Sequence, residues 1–243
     1  MRARYANVLF VALASLWIAP AAAQSMRPPT AEERTMLTNY ANVLHGILDK
    51  VPNENWVEDE RFRFDVDDQA LVSNDPDVPL DINESMTREY IIRPNSPLQA
   101  ERIKELEPLV AKFQANPTDP ATSIALQKAD RPNRIKVDIH FNRLGTPRDY
   151  APGSPIALDI TGPAAAWKST NSAHGEESVV LLFGNWKAGI RYRFRRPGRY
   201  PAIENIVIGI TGDPDRINRL LQSVDWKSVN TALTTQSSSP SIQ

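Results

Sequence analysis

The sequence of 243 residues predicts an α+β fold in which a mainly antiparallel sheet of about six to seven strands packs against four to five helices. Strand-type runs follow one another directly in the second half of the chain, as they do when neighbouring strands are joined by short turns. Amphipathic helical patterns occur near the beginning, in the middle and near the end. The strict alternation of strands and helices that builds a parallel doubly wound sheet is not found.

Capping residues mark the first two predicted helices. Thr30 and Glu33 have the spacing of a capping box, and apolar residues then recur at helical intervals over residues 31–51. The apolar stripe of this helix indicates that it covers a sheet. A second helix is predicted to begin after Ser96, and Pro108 should kink it or divide it in two.

Three shorter helices are predicted further along the chain. One spans residues 119–130. Another is capped by Asp213, with Pro214 at its first position, where the missing N–H has no cost. A third is capped by Asp225.

Apolar runs that are continuous or alternate with polar residues predict seven strands, over residues 61–66, 89–92, 135–141, 156–160, 179–183, 190–195 and 203–210. Residues 161–177 are predicted to be mostly irregular. The turn-rich residues 116–133 are the only candidate domain boundary, and we predict one α+β domain over residues 24–233, followed by a disordered polar tail over residues 234–243.

The strand predicted over residues 190–195 alternates between two kinds of side chain, which strand geometry places on opposite faces. One face carries Ile190, Tyr192 and Phe194. The other carries Arg191, Arg193 and Arg195. Together with the apolar run over residues 179–183, this pattern predicts a hairpin in which a buried strand lies beside a half-exposed one.

The first 23 residues have the features of a secretory signal peptide. Arg2 and Arg4 precede an apolar run over residues 8–18, and alanines at 21–23 supply the small residues of a cleavage site. The apolar run is shorter than the roughly 18–20 residues that cross a bilayer. We therefore predict that residues 1–23 are removed, that the mature protein is periplasmic or extracellular, and that no transmembrane segment remains after cleavage.

Composition excludes several classes of function. The chain has no cysteine, which excludes disulfides, thiol catalysis and thiolate metal sites. Loss of the signal takes the 28 basic residues to 26, against 29 acidic ones, a net charge of about −3. General nucleic-acid binding ordinarily needs a strongly basic domain, so nucleic acid is not predicted as a partner. The charges are unevenly placed: residues 49–89 carry 13 acidic and four basic residues, whereas residues 187–199 carry six basic residues and no acidic one.

The basic, aromatic stretch is the predicted binding site, because guanidinium groups bind phosphate or carboxylate in bidentate fashion. Its candidate residues are Arg191, Arg193, Arg195, Arg196, Arg199, Trp186 and Tyr200. The predicted partner is an anionic ligand, an acidic glycan, a lipid headgroup or an acidic protein surface. Two alternatives stay open: the arginines only keep an exposed strand edge from aggregating, or the acidic stretch over residues 54–84 folds over them.

No catalytic, metal or cofactor motif is found, so no cofactor and no metal are predicted, and an exported, non-enzymatic binding or envelope-associated module is favoured. One alternative is a hydrolase whose groups converge from distant positions, with His140, His174, Glu176 and Asp138 as candidates. The other is an accessory protein that acts through a partner bound at a sheet edge or at the tail.

The signal-peptide prediction has a direct measurement. Protein recovered from the exported fraction is expected to begin at Gln24, because cleavage follows the small residue Ala23. N-terminal sequencing and the intact mass would establish this. Recovery of the chain with residues 1–23 still attached would contradict it.

Overall fold

The computed structural model describes residues 26–51, 54–63, 71–73, 86–129, 134–151, 155–171, 176–195 and 202–233. The strands in this part of the chain are β1 Met26–Arg27, β2 Trp56–Glu58, β3 Val72–Ser73, β4 Met86–Ile92, β5 Arg134–Phe141, β6 Ile156–Ala157, β7 Ala165–Asn171, β8 Glu176–Gly184 and β9 Asn205–Gly212. The α-helices are α1 Ala31–Leu48, α2 Pro97–Ala115, α3 Pro120–Ala129 and α4 Pro214–Ser223. Short 3₁₀ helices span Glu60–Phe62, Pro147–Tyr150 and Trp226–Ala232.

Seven of these strands form one sheet in the order β2-β4-β5-β9-β8-β7-β6, and every neighbouring pair is antiparallel. The short strands β1 and β3 form a separate antiparallel pair. The predicted α+β class, with a mainly antiparallel sheet packed against helices, is confirmed. The predicted signal segment and polar tail lie outside the described residues.

Helix boundaries follow local hydrogen bonding. The predicted capping box of α1 is present: the N–H of Glu33 donates to the Thr30 hydroxyl, and the N–H of Thr30 donates to the Glu33 carboxylate. Asp213 caps α4 by accepting hydrogen bonds from two N–H groups of its first turn. The second predicted helix is not divided, because α2 runs continuously through Pro108.

One face of the sheet, here called the helix face, is buried beneath the helices. Its central side chains are Ile135, Val137, Ile139, Val179, Leu181, Phe183, Ile206, Ile208 and Ile210. Apolar residues of α1, of α4 and of the last 3₁₀ helix complete this core, among them Leu37, Ile217 and Val229. Each fully buried aliphatic side chain contributes about 1.5–3 kcal/mol, so this face supplies most of the hydrophobic stabilisation.

A buried arginine joins α1 to the edge of the sheet. Arg88 of β4 is fully buried, and its Nε lies 3.1 Å from a carboxylate oxygen of Glu58 in the adjoining strand β2. Its guanidinium also contacts the ring of His45 in α1, with Nη2 at 2.6 Å from Nε2. Glu58 supplies the opposite charge that a buried guanidinium requires, and the contact with His45 fixes where α1 lies on the helix face.

The predicted strand over residues 190–195 is wrong: these residues have no strand structure beyond an isolated bridge at Ile190. The reason is that β8 already pairs with β9 on one edge and with β7 on the other. Strand β7 lies in the stretch predicted to be irregular, because its small and polar residues lack a strong apolar alternation. The segment predicted to pair with β8 therefore has no free edge to join.

Two other predicted strands differ from the structure. In the strand predicted over residues 61–66, the described start belongs to the 3₁₀ helix Glu60–Phe62, where Asp59 accepts a hydrogen bond from the N–H of Arg61. The strand predicted over residues 156–160 is limited to the two residues of β6. The strands predicted over residues 89–92, 135–141, 179–183 and 203–210 correspond to β4, β5, β8 and β9.

Substitution of two glycines by alanine tests whether the turn that follows β8 requires glycine. Gly184 has a φ of +106°, and a Cβ added there would overlap the carbonyl oxygen of Glu204. Gly184→Ala is therefore expected to lower the free energy of unfolding by about 2–4 kcal/mol. In Gly46→Ala, where no atom lies within 4 Å of the added Cβ, helix propensity is expected to raise it by about 0.5–1 kcal/mol. Urea unfolding measures both changes, and equal effects would contradict this account of the turn.

Candidate functional site

The predicted binding residues that the structure describes, Trp186, Arg191, Arg193 and Arg195, fall in a loop, here called the arginine loop (residues 185–195), which follows β8 directly. It lies at the end of the sheet where β5 ends and β9 begins, because Gly184 pairs with Asn205 and Phe141 pairs with Ile206. The helical hairpin of α2 and α3 lies at the opposite end, where Ile91 pairs with Arg134. The fold therefore places the loop and the helical hairpin at opposite ends of the sheet.

The loop begins with a tight turn. Lys187 and Ile190 form an isolated antiparallel bridge, and the N–H of Ile190 donates to the carbonyl of Lys187 at 3.2 Å. Gly189 has a φ of +68°, a conformation that glycine adopts without strain. All four residues of this turn are exposed.

Beneath the turn, four aromatic side chains form what we call the aromatic base: Tyr150, Trp186, Tyr192 and Phe194. The ring centroids of Trp186 and Tyr192 are 4.6 Å apart, and Tyr150 meets Trp186 edge-on at 5.6 Å. The base packs on the second face of the sheet, the open face, against Leu182 and Val207. Aromatic pairs in this geometry contribute about 0.5–1.5 kcal/mol beyond the area they bury, so the base holds the loop firmly.

Hydrogen bonds fix the polar ends of the base. The hydroxyl of Tyr192 donates to the carbonyl of Glu204 at 2.7 Å, and its N–H donates to the carbonyl of Gly145 at 2.7 Å. The indole N–H of Trp186 donates to the carbonyl of Phe183 at 3.0 Å. Burial raises the pKa of the Tyr192 hydroxyl, so it stays a hydrogen-bond donor at neutral pH.

Two buried asparagines join the neighbouring segments to one another. The side chain of Asn142 donates to the carbonyl of Ala202 at 2.8 Å and accepts from the N–H of Glu204 at 2.8 Å. The side chain of Asn205 accepts from the N–H of Arg143 at 2.7 Å and donates to the carbonyl of the same residue at 3.0 Å. Each amide thus satisfies backbone groups across the sheet end and holds these segments beside the arginine loop.

The arginines of the loop point away from this base. Arg191, Arg193 and Arg195 are exposed, whereas Tyr192 is buried and Phe194 is half-buried. Within the described residues, none of these three guanidinium groups forms an ion pair; the contact of Arg195 with Glu204 is made by its backbone N–H, which donates to the carboxylate at 2.6 Å. The alternating presentation predicted from the sequence is therefore present for these residues, although the segment is not a strand.

Three described segments at this end of the sheet, residues 142–151, 185–195 and 202–204, together carry more positive than negative charge. Their basic residues are Arg143, Arg148, Lys187, Arg191, Arg193 and Arg195. Their acidic residues are Asp149 and Glu204. Arg143 and Arg148 were not among the predicted site residues, because only the fold brings the segment after β5 beside the segment after β8. Lys187 belongs to the basic stretch over residues 187–199 but was not named as a candidate.

The remaining residues of the predicted arginine–aromatic segment do not all lie on the exposed surface. Trp186 is 8% exposed and supports the surface from below. Arg196, Arg199 and Tyr200 lie outside the described residues. Ile190 was predicted to share the inner face with Tyr192, but it is 53% exposed because the tight turn carries it outward.

The acidic stretch proposed as an internal partner of the arginines pairs elsewhere where it is described. Glu58 contacts Arg88 and Arg63, and Asp59 contacts Arg61. These pairs lie around β2, which is an edge strand of the sheet and is four strands away from β8. The remainder of that stretch lies outside the described residues.

Two of the candidate hydrolytic residues, Asp138 and His140, make structural contacts, and Glu176 is the first residue of β8. Asp138 accepts a hydrogen bond from the Thr87 hydroxyl at 2.8 Å and pairs with Lys136 at 3.0 Å. The His140 Nδ1 accepts a hydrogen bond from Arg143 Nη2 at 2.8 Å. His174 lies outside the described residues, and among those that are described no three His, Asp or Glu side chains are grouped to hold a metal.

His140 gives this end of the sheet a dependence on pH. Burial, and secondly the charge of Arg143, lower its pKa below the usual 6.5. A lowered pKa in the folded state means that the unfolded chain takes up a proton first, so stability is retained above about pH 6.5 and lost as the pH falls towards the lowered value. The free energy of unfolding, measured in urea at about pH 7.5 and at about pH 5.5, should differ less between the two pH values for His140→Gln than for the unmodified chain. An identical difference would show that His140 titrates normally.

No protein-family model, curated protein or solved structure matches this chain. Within the described residues, no helix is long and apolar enough to cross a membrane.

Proposed function

We propose that this chain is an exported, non-enzymatic binding module that holds an anionic partner on the arginine loop. The observation that carries the proposal is the exposure of Arg191, Arg193 and Arg195 without a carboxylate partner among the described residues. Guanidinium groups in this state retain their full capacity for bidentate hydrogen bonds to phosphate, sulfate or carboxylate.

The electrostatics of the loop favour an anionic partner. Lys187 and the three arginines lie within nine residues of one another, and like charges at this density repel. Binding an anion relieves this repulsion, and it does so more strongly at low ionic strength because salt screens exposed charges. Binding of an anionic partner is therefore favoured both by its attraction to the cations and by the reduced repulsion among them.

The aromatic base supports binding by keeping the loop in one conformation. Ordering a flexible loop on binding costs free energy for every side chain and backbone segment that is immobilised. Trp186 and Tyr192 are already buried and hydrogen-bonded, so the backbone that carries the arginines is held in place before the partner arrives. Only the ends of the arginine side chains remain to be ordered.

A catalytic function is less well supported. A general base must reach the proton of a nucleophile or of substrate water. His140 instead accepts a hydrogen bond from Arg143, and Asp138 is occupied by Thr87 and Lys136. Export is proposed from the signal-type sequence over residues 1–23.

Binding to heparin, a soluble sulfated glycan, tests the proposal. The chain from Gln24 is expected to bind heparin with an affinity that falls steadily as salt is raised, because the contacts are between exposed charges. The double variant Arg193→Ala and Arg195→Ala should weaken binding about tenfold to a hundredfold, since each removes one charge-assisted contact. Isothermal titration over a series of salt concentrations measures both effects.

A charge-matched control separates the loop from net charge. Lys104 and Lys112 are exposed on α2, at the opposite end of the sheet. The double variant Lys104→Ala and Lys112→Ala removes the same charge and should leave heparin binding nearly unchanged. An equal loss in both double variants, or binding that is insensitive to salt, would refute a site on the arginine loop.

A further inference from the structure

The tip of the arginine loop carries an exposed aliphatic side chain. Ile190 is 53% exposed at the end of the tight turn, although its place in the sequence pattern predicted burial beside Tyr192. Its neighbours in the turn, Lys187, Ala188 and Gly189, are also exposed. A partner that offers only charge would leave this apolar surface in water.

Basic side chains surround this aliphatic tip. An open groove of about 370 Å³ is lined by Asn185, Lys187, Ile190, Arg191, Tyr192 and Arg193. The exposed Ile103 of α2 has mixed surroundings: it is 57% exposed, but its helix carries Glu101, Glu105 and Glu107 as well as Arg102, Lys104 and Lys112. The combination of an apolar tip and a ring of cations thus distinguishes the arginine loop from that site.

An interface of anionic phospholipids matches both features. Its phosphate groups attract Lys and Arg side chains near the surface, and the boundary below the headgroups accepts apolar side chains. Long basic side chains can keep their charged ends among the headgroups while their methylene stems lie deeper. A sulfated glycan satisfies the charges but offers no comparable environment for Ile190, and an acidic protein surface would have to supply a separate apolar patch for it.

We propose that the partner of the arginine loop is the surface of a bilayer that contains anionic phospholipids, with Ile190 inserted at the boundary between headgroups and acyl chains. This inference rests on the proposed anion-binding function and names its partner. The fixed turn limits the depth of insertion to the tip, so the contact is peripheral and reversible. One aliphatic side chain and a few cations give moderate affinity, because stable anchoring requires more than one strong signal.

Vesicle binding tests the role of Ile190. The chain from Gln24 is mixed with vesicles of phosphatidylcholine containing about 30% phosphatidylglycerol, and with pure phosphatidylcholine vesicles, and the bound fraction is measured by sedimentation. Binding is expected to the anionic vesicles only. Ile190→Ser should reduce the partition coefficient about tenfold, since roughly half of an isoleucine side chain loses its apolar environment. Ile190→Trp should increase it, because tryptophan favours the membrane interface.

Two controls make the result specific. Ile103→Ser removes an isoleucine of similar exposure from the opposite end of the sheet and should leave vesicle binding unchanged. Ile190→Ser should also leave heparin affinity unchanged, because it removes no charge. The double variant Arg193→Ala and Arg195→Ala should weaken binding to both partners. For the vesicles, each arginine removed should lower the partition coefficient by roughly fivefold.

The outcomes separate this inference from the function on which it rests. Heparin binding without binding to anionic vesicles would overturn the membrane partner and leave the anion-binding function intact. Loss of heparin and vesicle affinity to the same degree in Ile190→Ser would overturn the insertion of Ile190. Absence of binding to both partners would overturn the proposed function and this inference together.

Discussion

Trp186 and Tyr192 lie against the open face of the sheet, where Leu182 and Val207 would otherwise meet water. Among the described residues, α1 and α4 pack on the helix face, whereas the apolar residues of the open face are covered by the aromatic base. An aromatic pair in contact with both strands meets this need with few residues. The conformation of the arginine loop follows from this contact, because burying alternate residues forces Arg191, Arg193 and Arg195 into solvent.

The charges of the described residues are separated along the sheet. Around β2, carboxylates and guanidinium groups neutralise one another, and the buried Arg88 is held by Glu58 and by the ring of His45. At the end where β5 and β8 finish, basic residues outnumber acidic ones and the loop arginines are not paired within the described residues. A buried charge must be paired within the protein, whereas an exposed charge is solvated by water and stays available to bind a partner. The arginine loop is therefore the surface on which an anionic partner can bind.

The buried amides of Asn142 and Asn205 give the surface its rigidity. They connect the backbone after β5 to the backbone before β9 through four hydrogen bonds of 2.7–3.0 Å. Asn142 also has a φ of +47°, a conformation that asparagine tolerates better than most residues. Tyr192 of the arginine loop is hydrogen-bonded to these segments at Gly145 and Glu204, so the loop loses little conformational entropy on binding, which suits recognition by a small number of exposed side chains.

The sequence by itself determined the α+β class, the capped starts of α1 and α4, the central strands β5, β8 and β9, and the opposite directions of arginine and aromatic side chains over residues 191–195. These features depend on local periodicity and capping, which single segments carry. Only the tertiary structure decided that β7, with its small and polar residues, pairs with β8 and excludes the arginine segment from the sheet. It alone brought Arg143 beside the loop and turned Ile190 outward. Strand pairing and the meeting of distant segments depend on which edges and surfaces remain unoccupied after the whole chain has folded, and no local pattern contains that information.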